Sequence, residues 1–220
     1  MTTDPIYTTQ VLPLDDLAVQ ELALALLADD QVIAAPTDTV YGIFCRPDHP
    51  AAVERLDIAT ARPPHKAIPI LISDRAQVEQ VAQSPFPLGA QTLMAEFWPG
   101  ALTIVLPARP HLPALLTAGQ STIAVRMPDH DGLRSLLRRS GPLAATSANR
   151  SGGPETHSAA EVLAQLGGRL PLILDDPTPR ATRSLASTVI DLTGPAPLVL
   201  RRGPLADAVL ARLAAVDAPP

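Results

Sequence analysis

The sequence predicts a single α/β domain in which helices pack against a mixed sheet. Segments with helical spacing alternate with short apolar runs along the chain, a pattern that favours a layered α/β architecture. No internal repeat or low-complexity linker divides the 220 residues, and the 25 prolines are spread through the connections. With 46% hydrophobic residues the chain can bury a substantial core. The expected organisation is one domain over residues 1–206 and a short frayed tail over 207–220.

Taken in order, Asp15 and Asp16 offer N-caps for an amphipathic helix running to about Asp29, followed by the strand Gln31 to Ala35. Asp48 is the expected cap of a helix through Ala59, and Ala67 to Ile72 reads as a buried strand. Ser73 or Asp74 starts a helix through Ala82. Pro85 and Pro87 break the chain before a short helix ending at Phe97, Trp98, Pro99 and Gly100. Leu102 to Leu106 and Thr122 to Arg126 read as strands with a proline-rich connection between them. A helix near Gly132 to Arg139 leads into the apolar run Pro142 to Ala145, and a loop is expected from Thr146. Ser158 to Leu166 is a further helix. Leu170 to Leu174, Ser187 to Leu192 and Pro197 to Leu200 complete the sheet.

Composition removes several function classes. A net charge of −5 opposes a general nucleic-acid coat, and 3% aromatic content opposes a stacking platform for single strands. The lone Cys45 rules out a disulfide framework and fits a reducing compartment. No stretch approaches the roughly 20 apolar residues of a membrane span, and no charged-then-apolar leader is seen, so a cytoplasmic protein without membrane contact is expected. Neither G-x-x-x-x-G-K-[ST] nor G-x-G-x-x-G occurs. The five histidines (His49, His65, His111, His130, His157) lack zinc-ligand spacing and are expected on the surface or in loops. No G-x-S-x-G elbow marks Ser147 as a nucleophile.

Two loops carry the functional signal. T-S-A-N-R-S-G-G (Thr146 to Gly153) and P-T-D-T-V-Y-G (Pro36 to Gly42) each follow an apolar run, and both are rich in hydroxyls and glycine. Loops at the carboxyl ends of sheet strands are where ligands bind, and small residues there leave backbone N–H groups open to an anion. Of the 17 basic residues every one but Lys66 is arginine. Where arginine is the default cation, a single lysine points to a place that needs a compact ammonium. Arg62 and Lys66 flank a proline-stiffened turn, four residues apart, able to grip a polyphosphate.

Further along, F-W-P-G-A-L-T (Phe97 to Thr103) puts Thr103 early in a strand beneath a tight turn. Arg126 ends the strand-like I-A-V-R-M-P, and a buried arginine must either pair with a carboxylate or face a ligand cavity. Ser187 and Thr188 open A-S-T-V-I-D, and Arg201 closes the run before R-R-G-P. These hydroxyls and this arginine fit a carboxylate and a phosphate, or a plain strand cap with an exposed arginine pair.

Taken in order, seven segments, P-T-D-T-V-Y-G, R-P-P-H-K, F-W-P-G-A-L-T, I-A-V-R-M-P, T-S-A-N-R-S-G, S-T-V-I-D-L-T-G and L-R-R-G-P, resemble the threonylcarbamoyl-AMP synthase family, also called the Sua5/YciO/YrdC family, from about Val32 to Pro204. The resemblance implies a YrdC/RibB-like twisted mixed sheet with flanking helices around a large basic cavity. It implies a nucleotidyltransferase that converts ATP, L-threonine and bicarbonate to threonylcarbamoyl-adenylate and pyrophosphate, for N6-threonylcarbamoyladenosine at tRNA position 37. Mg2+ would arrive with ATP, without a protein ligand set. A separate tRNA-modifying threonylcarbamoyl transferase would accept the product. The family's association with double-stranded RNA implies at most a weak tRNA or RNA contact in so acidic a chain.

By the same resemblance, Arg62 and Lys66 are the catalytic cations. ATP would be held by these two with Thr103, Arg126, Ala145, Ser147, Asn149 and Arg201; threonine would be held by Thr37, Tyr41, Ser187 and Thr188. Two positions depart from the family. Its basic motif is usually K-x-R-P, but Thr60 stands at the lysine position here, and Glu155 stands where many members carry serine. Losing a phosphate-contacting cation costs about a few kcal/mol of transition-state stabilisation if nothing replaces it. The YciO-like branch also lacks this lysine, but it usually lacks the S-x-N element that Ser147 and Asn149 preserve here. The alternative is therefore a catalytically weakened, YciO-like protein that binds nucleotide or double-stranded RNA.

Overall fold

A computed structural model describes residues 7–63, 66–176 and 185–216. In chain order the strands are β1 (Gln10–Pro13), β2 (Ile33–Ala35), β3 (Gly42–Cys45), β4 (Ile70–Leu71), β5 (Leu102–Pro107), β6 (Thr122–Arg126), β7 (Leu143–Ser147), β8 (Leu172–Asp175), β9 (Thr188–Asp191) and β10 (Leu198–Arg201). The helices are α1 (Leu17–Ala28), α2 (Pro50–Thr60), α3 (Val78–Val81), α4 (Leu88–Phe97), α5 (Ala114–Thr117), α6 (Asp131–Ser140), α7 (Ala159–Leu166) and α8 (Ala206–Val216).

These strands form one mixed sheet in the order β1-β8-β2-β3-β7-β4-β6-β5-β9-β10. Successive residues of the central strands alternate between two apolar cores. Ile33, Phe44, Leu143 and Leu172 pack with α1 and α6 on one side. Ala34, Ile43, Ala144 and Ile173 pack on the other with α2, α4, α7 and α8. Both faces of the sheet are covered, so the strands read as continuous apolar runs.

Local chemistry sets the element ends. The Asp16 carboxylate accepts from the Ala18 amide at 2.8 Å and starts α1. Asp48 does not cap α2 as expected. His49 occupies the cap position without a side-chain bond, and Pro50 supplies the first helical residue, while Asp48 pairs with Arg46. Asp74 does stand at the start of the next helical segment, as expected, but makes no side-chain cap bond. A short 3-10 turn over Arg75–Gln77 precedes the single turn of α3, and the Gln77 side chain accepts the Ser73 amide at 2.8 Å.

Three further expectations are corrected. Strands β1 and β3 and the short α5 were not anticipated, and β7 runs on to Ser147 instead of ending at Ala145. The segment expected to fray from residue 207 is the body of α8, whose Val209 and Leu213 are buried; Arg212 pairs with Glu96 at 2.6 Å. Residues 217–220 lie outside the described residues. Of the two places expected for the histidines, His130 takes the loop before α6 and not the surface; it is 2% exposed, and its Nδ1 accepts the Leu133 amide at the start of α6.

Candidate active site

Loops at the ends of β2, β7 and β9 converge with the basic turn after α2 on a cavity of about 440 Å3. The Pro36–Gly42 loop is ordered by its own hydroxyls. The Thr37 hydroxyl donates to the Val40 carbonyl at 2.7 Å and accepts the Thr39 amide at 3.0 Å. Because that proton is committed, the 3.0 Å contact between the two threonine hydroxyls is donated by Thr39. Thr39 in turn accepts from Arg126 at 2.9 Å.

Arg126 satisfies both roles left open by the sequence. It lines the cavity, and it is paired internally: its guanidinium donates to Asp38 at 2.6 Å and to the Gly100 carbonyl at 3.0 Å. Gly100 is the turn residue of F-W-P-G, so that tight turn holds Arg126 as well as packing Trp98. Burial lowers the Arg126 pKa, and the Asp38 charge opposes the shift. Tyr41, 5% exposed, donates its phenol to Asp175 at 2.9 Å at the end of β8. Burial first, and then this carboxylate, push its pKa above the ordinary tyrosine value.

The basic turn is positioned by the end of α2. Ala61 adopts the left-handed conformation (φ 52°), and the Arg62 amide folds back to the Asp57 carbonyl at 2.9 Å. The Arg62 side chain then donates to the Asp57 carboxylate at 3.3 Å and to the Ala67 carbonyl at 2.7 Å. Arg62 is thus an anchored cation on the cavity wall, whereas Lys66 is exposed on it. Thr60 also lines the wall, but its hydroxyl is turned back to the Leu56 carbonyl at 2.8 Å. It offers no cation in place of the motif lysine.

On the opposite wall, Ser147 pairs with Gly42 across β3 and β7, so the two signal loops are held side by side. The Asn149 amide nitrogen donates to the carbonyls of Arg150 and Gly153 at 2.9 and 3.0 Å, while its buried carbonyl oxygen has no partner among the described residues. Such an atom is costly unless a ligand satisfies it. Thr103 and Ser187 share a 2.8 Å hydroxyl contact, and Arg201 donates to the Ser187 carbonyl and hydroxyl at 2.8 and 3.0 Å.

Every expected site residue lines this cavity except one. Thr188 does not: it is fully buried, its amide donates to Ala101 and its hydroxyl accepts the Leu205 amide at 3.1 Å. It fixes the turn that carries Ser187 and Arg201. Sequence reasoning singled out Glu155 only as a departure from the family pattern, and missed Thr39 as a lining residue and Asp38, Asp57 and Asp175 as the carboxylates behind the wall. Asp38 had a signal, because a buried arginine requires such a partner. Among the described residues no group of three or more His, Cys, Asp or Glu side chains gathers as a metal cage, and no helix is long and apolar enough to cross a membrane.

Comparison with known proteins places this arrangement. The Sua5_yciO_yrdC family model, described as "Telomere recombination", matches residues 25–203. A Bacillus subtilis protein named threonylcarbamoyl-AMP synthase is 42% identical over 184 residues, covering 82% of this chain and 52% of that protein. The chain therefore spans about half the length of that relative. A protein of the same name from Alkalilimnicola ehrlichii is 38% identical over 160 residues, covering 70% of this chain and 82% of that protein. The crystal structure of P. abyssi Sua5 complexed with L-threonine superposes with a TM-score of 0.85 at 35% identity, covering 93% of this chain and 61% of that one. The chain belongs to the Sua5/YciO/YrdC family.

Proposed function

We propose that the protein is an L-threonylcarbamoyladenylate synthase that forms threonylcarbamoyl-AMP from ATP, L-threonine and bicarbonate. The observation that carries this reading is the convergence of Arg62, Lys66, Arg126 and Arg201 with the hydroxyls of Thr37, Thr103, Ser147 and Ser187 on one cavity. Four cations suit a triphosphate, and the hydroxyl clusters suit a small zwitterion beside it. Relatives named for this activity, and a neighbour that binds L-threonine, support the assignment. They also disfavour the weakened YciO-like alternative.

In this mechanism the threonine amine and bicarbonate form a carbamate with loss of water. A carbamate oxygen attacks the α-phosphorus in line, the bond from the α-phosphorus to the α,β-bridging oxygen breaks, and pyrophosphate leaves with that oxygen. Positioning and charge neutralisation supply the catalysis, with no covalent step on the protein. Lys66 and Arg201 would hold the departing phosphates, and Arg62 would act as a fixed charge at the edge of its Asp57 pair. The unpartnered Asn149 carbonyl oxygen would accept from the nucleotide. Thr37, Tyr41 and Ser187 would seat threonine, and the adenylate would pass to a tRNA-modifying transferase. Mg2+ bound to ATP would offset phosphate charge; the residues fit it as a cation carried by the nucleotide, since Glu155 is the one carboxylate that lines the cavity among the described residues.

The test is pyrophosphate release with ATP, with and without threonine and bicarbonate. Release is expected only when both are present, together with a threonylcarbamoyl-AMP mass. ATP cleavage indifferent to threonine, with no adenylate product, would overturn the reading.

A further inference from the structure

The chemistry of the cavity holds one contradiction. Among the described residues its lining carries four cations and a single carboxylate, Glu155. The backbone beside Glu155 is tied down: the Thr156 carbonyl accepts the Tyr41 amide at 2.8 Å, and the Thr156 hydroxyl donates to the Ala148 carbonyl at 3.1 Å. The loop therefore cannot simply carry the carboxylate away. The Glu155 side chain is exposed, with no hydrogen bond or ion pair among the described residues. Its charge still reaches Arg201, where it opposes the lowering that burial and the neighbouring Arg126 impose.

A carboxylate anchored through its backbone among phosphate-gripping cations repels phosphates that enter the cavity. A divalent cation between them reverses the sign, and Mg2+ is commonly held by one or two carboxylates together with substrate phosphates. We propose that Glu155 makes polyphosphate capture by this cavity conditional on a divalent cation, its carboxylate and the phosphate oxygens sharing one Mg2+. This rests on the nucleotide-site reading above and deepens it. By this device Glu155 restricts the cavity to the cation-loaded nucleotide and excludes the bare one.

The experiment is calorimetric titration of the full chain with ATP, once in EDTA and once in excess Mg2+, for the wild type, Glu155→Gln and Glu155→Ser. Both variants are expected to fold, because the side chain is exposed and unbonded. The tightening from EDTA to Mg2+ should be at least about tenfold greater for the wild type than for either variant. The variants should gain affinity in EDTA and lose it in Mg2+. An equal ratio in all three proteins, or a gain in both buffers, overturns the proposal while leaving the nucleotide site intact. A wild type that binds no ATP in either buffer overturns the site reading and this proposal together.

Discussion

Replacing Asp38 with alanine would leave the Arg126 guanidinium without its carboxylate in a setting where its side chain is only 7% exposed. Removing one partner of a buried pair costs about 3–5 kcal/mol, mostly because the remaining charge is stranded. Part of that cost is offset, since Thr39 and the Gly100 carbonyl still hold the guanidinium. For a chain of this length each kcal/mol lowers the melting temperature by about 2–4 °C, so the full cost corresponds to roughly 6–20 °C, and with the offset Asp38→Ala should melt near the lower end of that range. Arg126→Met should cost less, because the carboxylate left behind is nearer solvent at 13% exposure and can protonate or hydrate. The double variant Asp38→Ala/Arg126→Met should recover stability relative to Asp38→Ala alone. Calorimetric melts of the four proteins at pH 7 give the coupling directly. A single Asp38→Ala shift under about 3 °C, or strictly additive effects in the double variant, would refute the claim that this pair is a buried, interdependent unit.

Other outcomes follow from the same geometry. Thr60→Lys, which restores the missing cation on the wall beside Arg62, should leave threonine-dependent pyrophosphate release within about twofold; a rise of tenfold or more would show that Thr60 had weakened the site. Gly203→Ala should lower stability and the apparent affinity for threonine, because a Cβ there would fall 2.4 Å from the Thr188 amide and push the turn bearing Ser187; an unchanged KM would count against that turn as a binding element. Tyr41 and Cys45 both have pKa values raised in the fold above their ordinary values of 10.0 and 9.0, mainly by burial. The unfolded chain therefore loses these protons first. Their stabilisation is complete below pH 9.0 and declines above it by up to about 1.4 kcal/mol per pH unit per group. Melts from pH 8 to 11 should show this decline, and Cys45→Ala and Tyr41→Phe should each flatten part of it.

Much of the architecture could be read along the chain because the central strands are covered on both faces. Gln31 to Ala35, Leu102 to Leu106 and Thr122 to Arg126 stand out as apolar runs without needing their neighbours. The missed elements are those that local composition does not mark. Edge strand β1, Gln10–Pro13, is a short, mostly exposed segment that owes its form to parallel pairing with β8, more than 150 residues away. Strand β3 follows directly on a ligand loop, and α8 lies beyond the last recognisable motif. The carboxylates of Asp48 and Asp74 show the same limit, since the first is drawn to Arg46 and the second, though placed at the cap, accepts from the Ser73 hydroxyl instead.

By itself the sequence determined which side chains are available for chemistry: two hydroxyl loops, a basic turn with one lysine, and a terminal arginine, in a family order that carries across most of the chain. Burial and pairing among distant residues were decided only in three dimensions. Tertiary structure turned Arg62 toward Asp57 and Arg126 toward Asp38, withdrew Thr188 into the turn behind Ser187, and left Glu155 as the single carboxylate beside four cations among the described residues of the cavity lining. The physical reason is that a charge takes its meaning from its neighbours and its solvation, and both are set by strands that meet across the sheet, far apart in the chain.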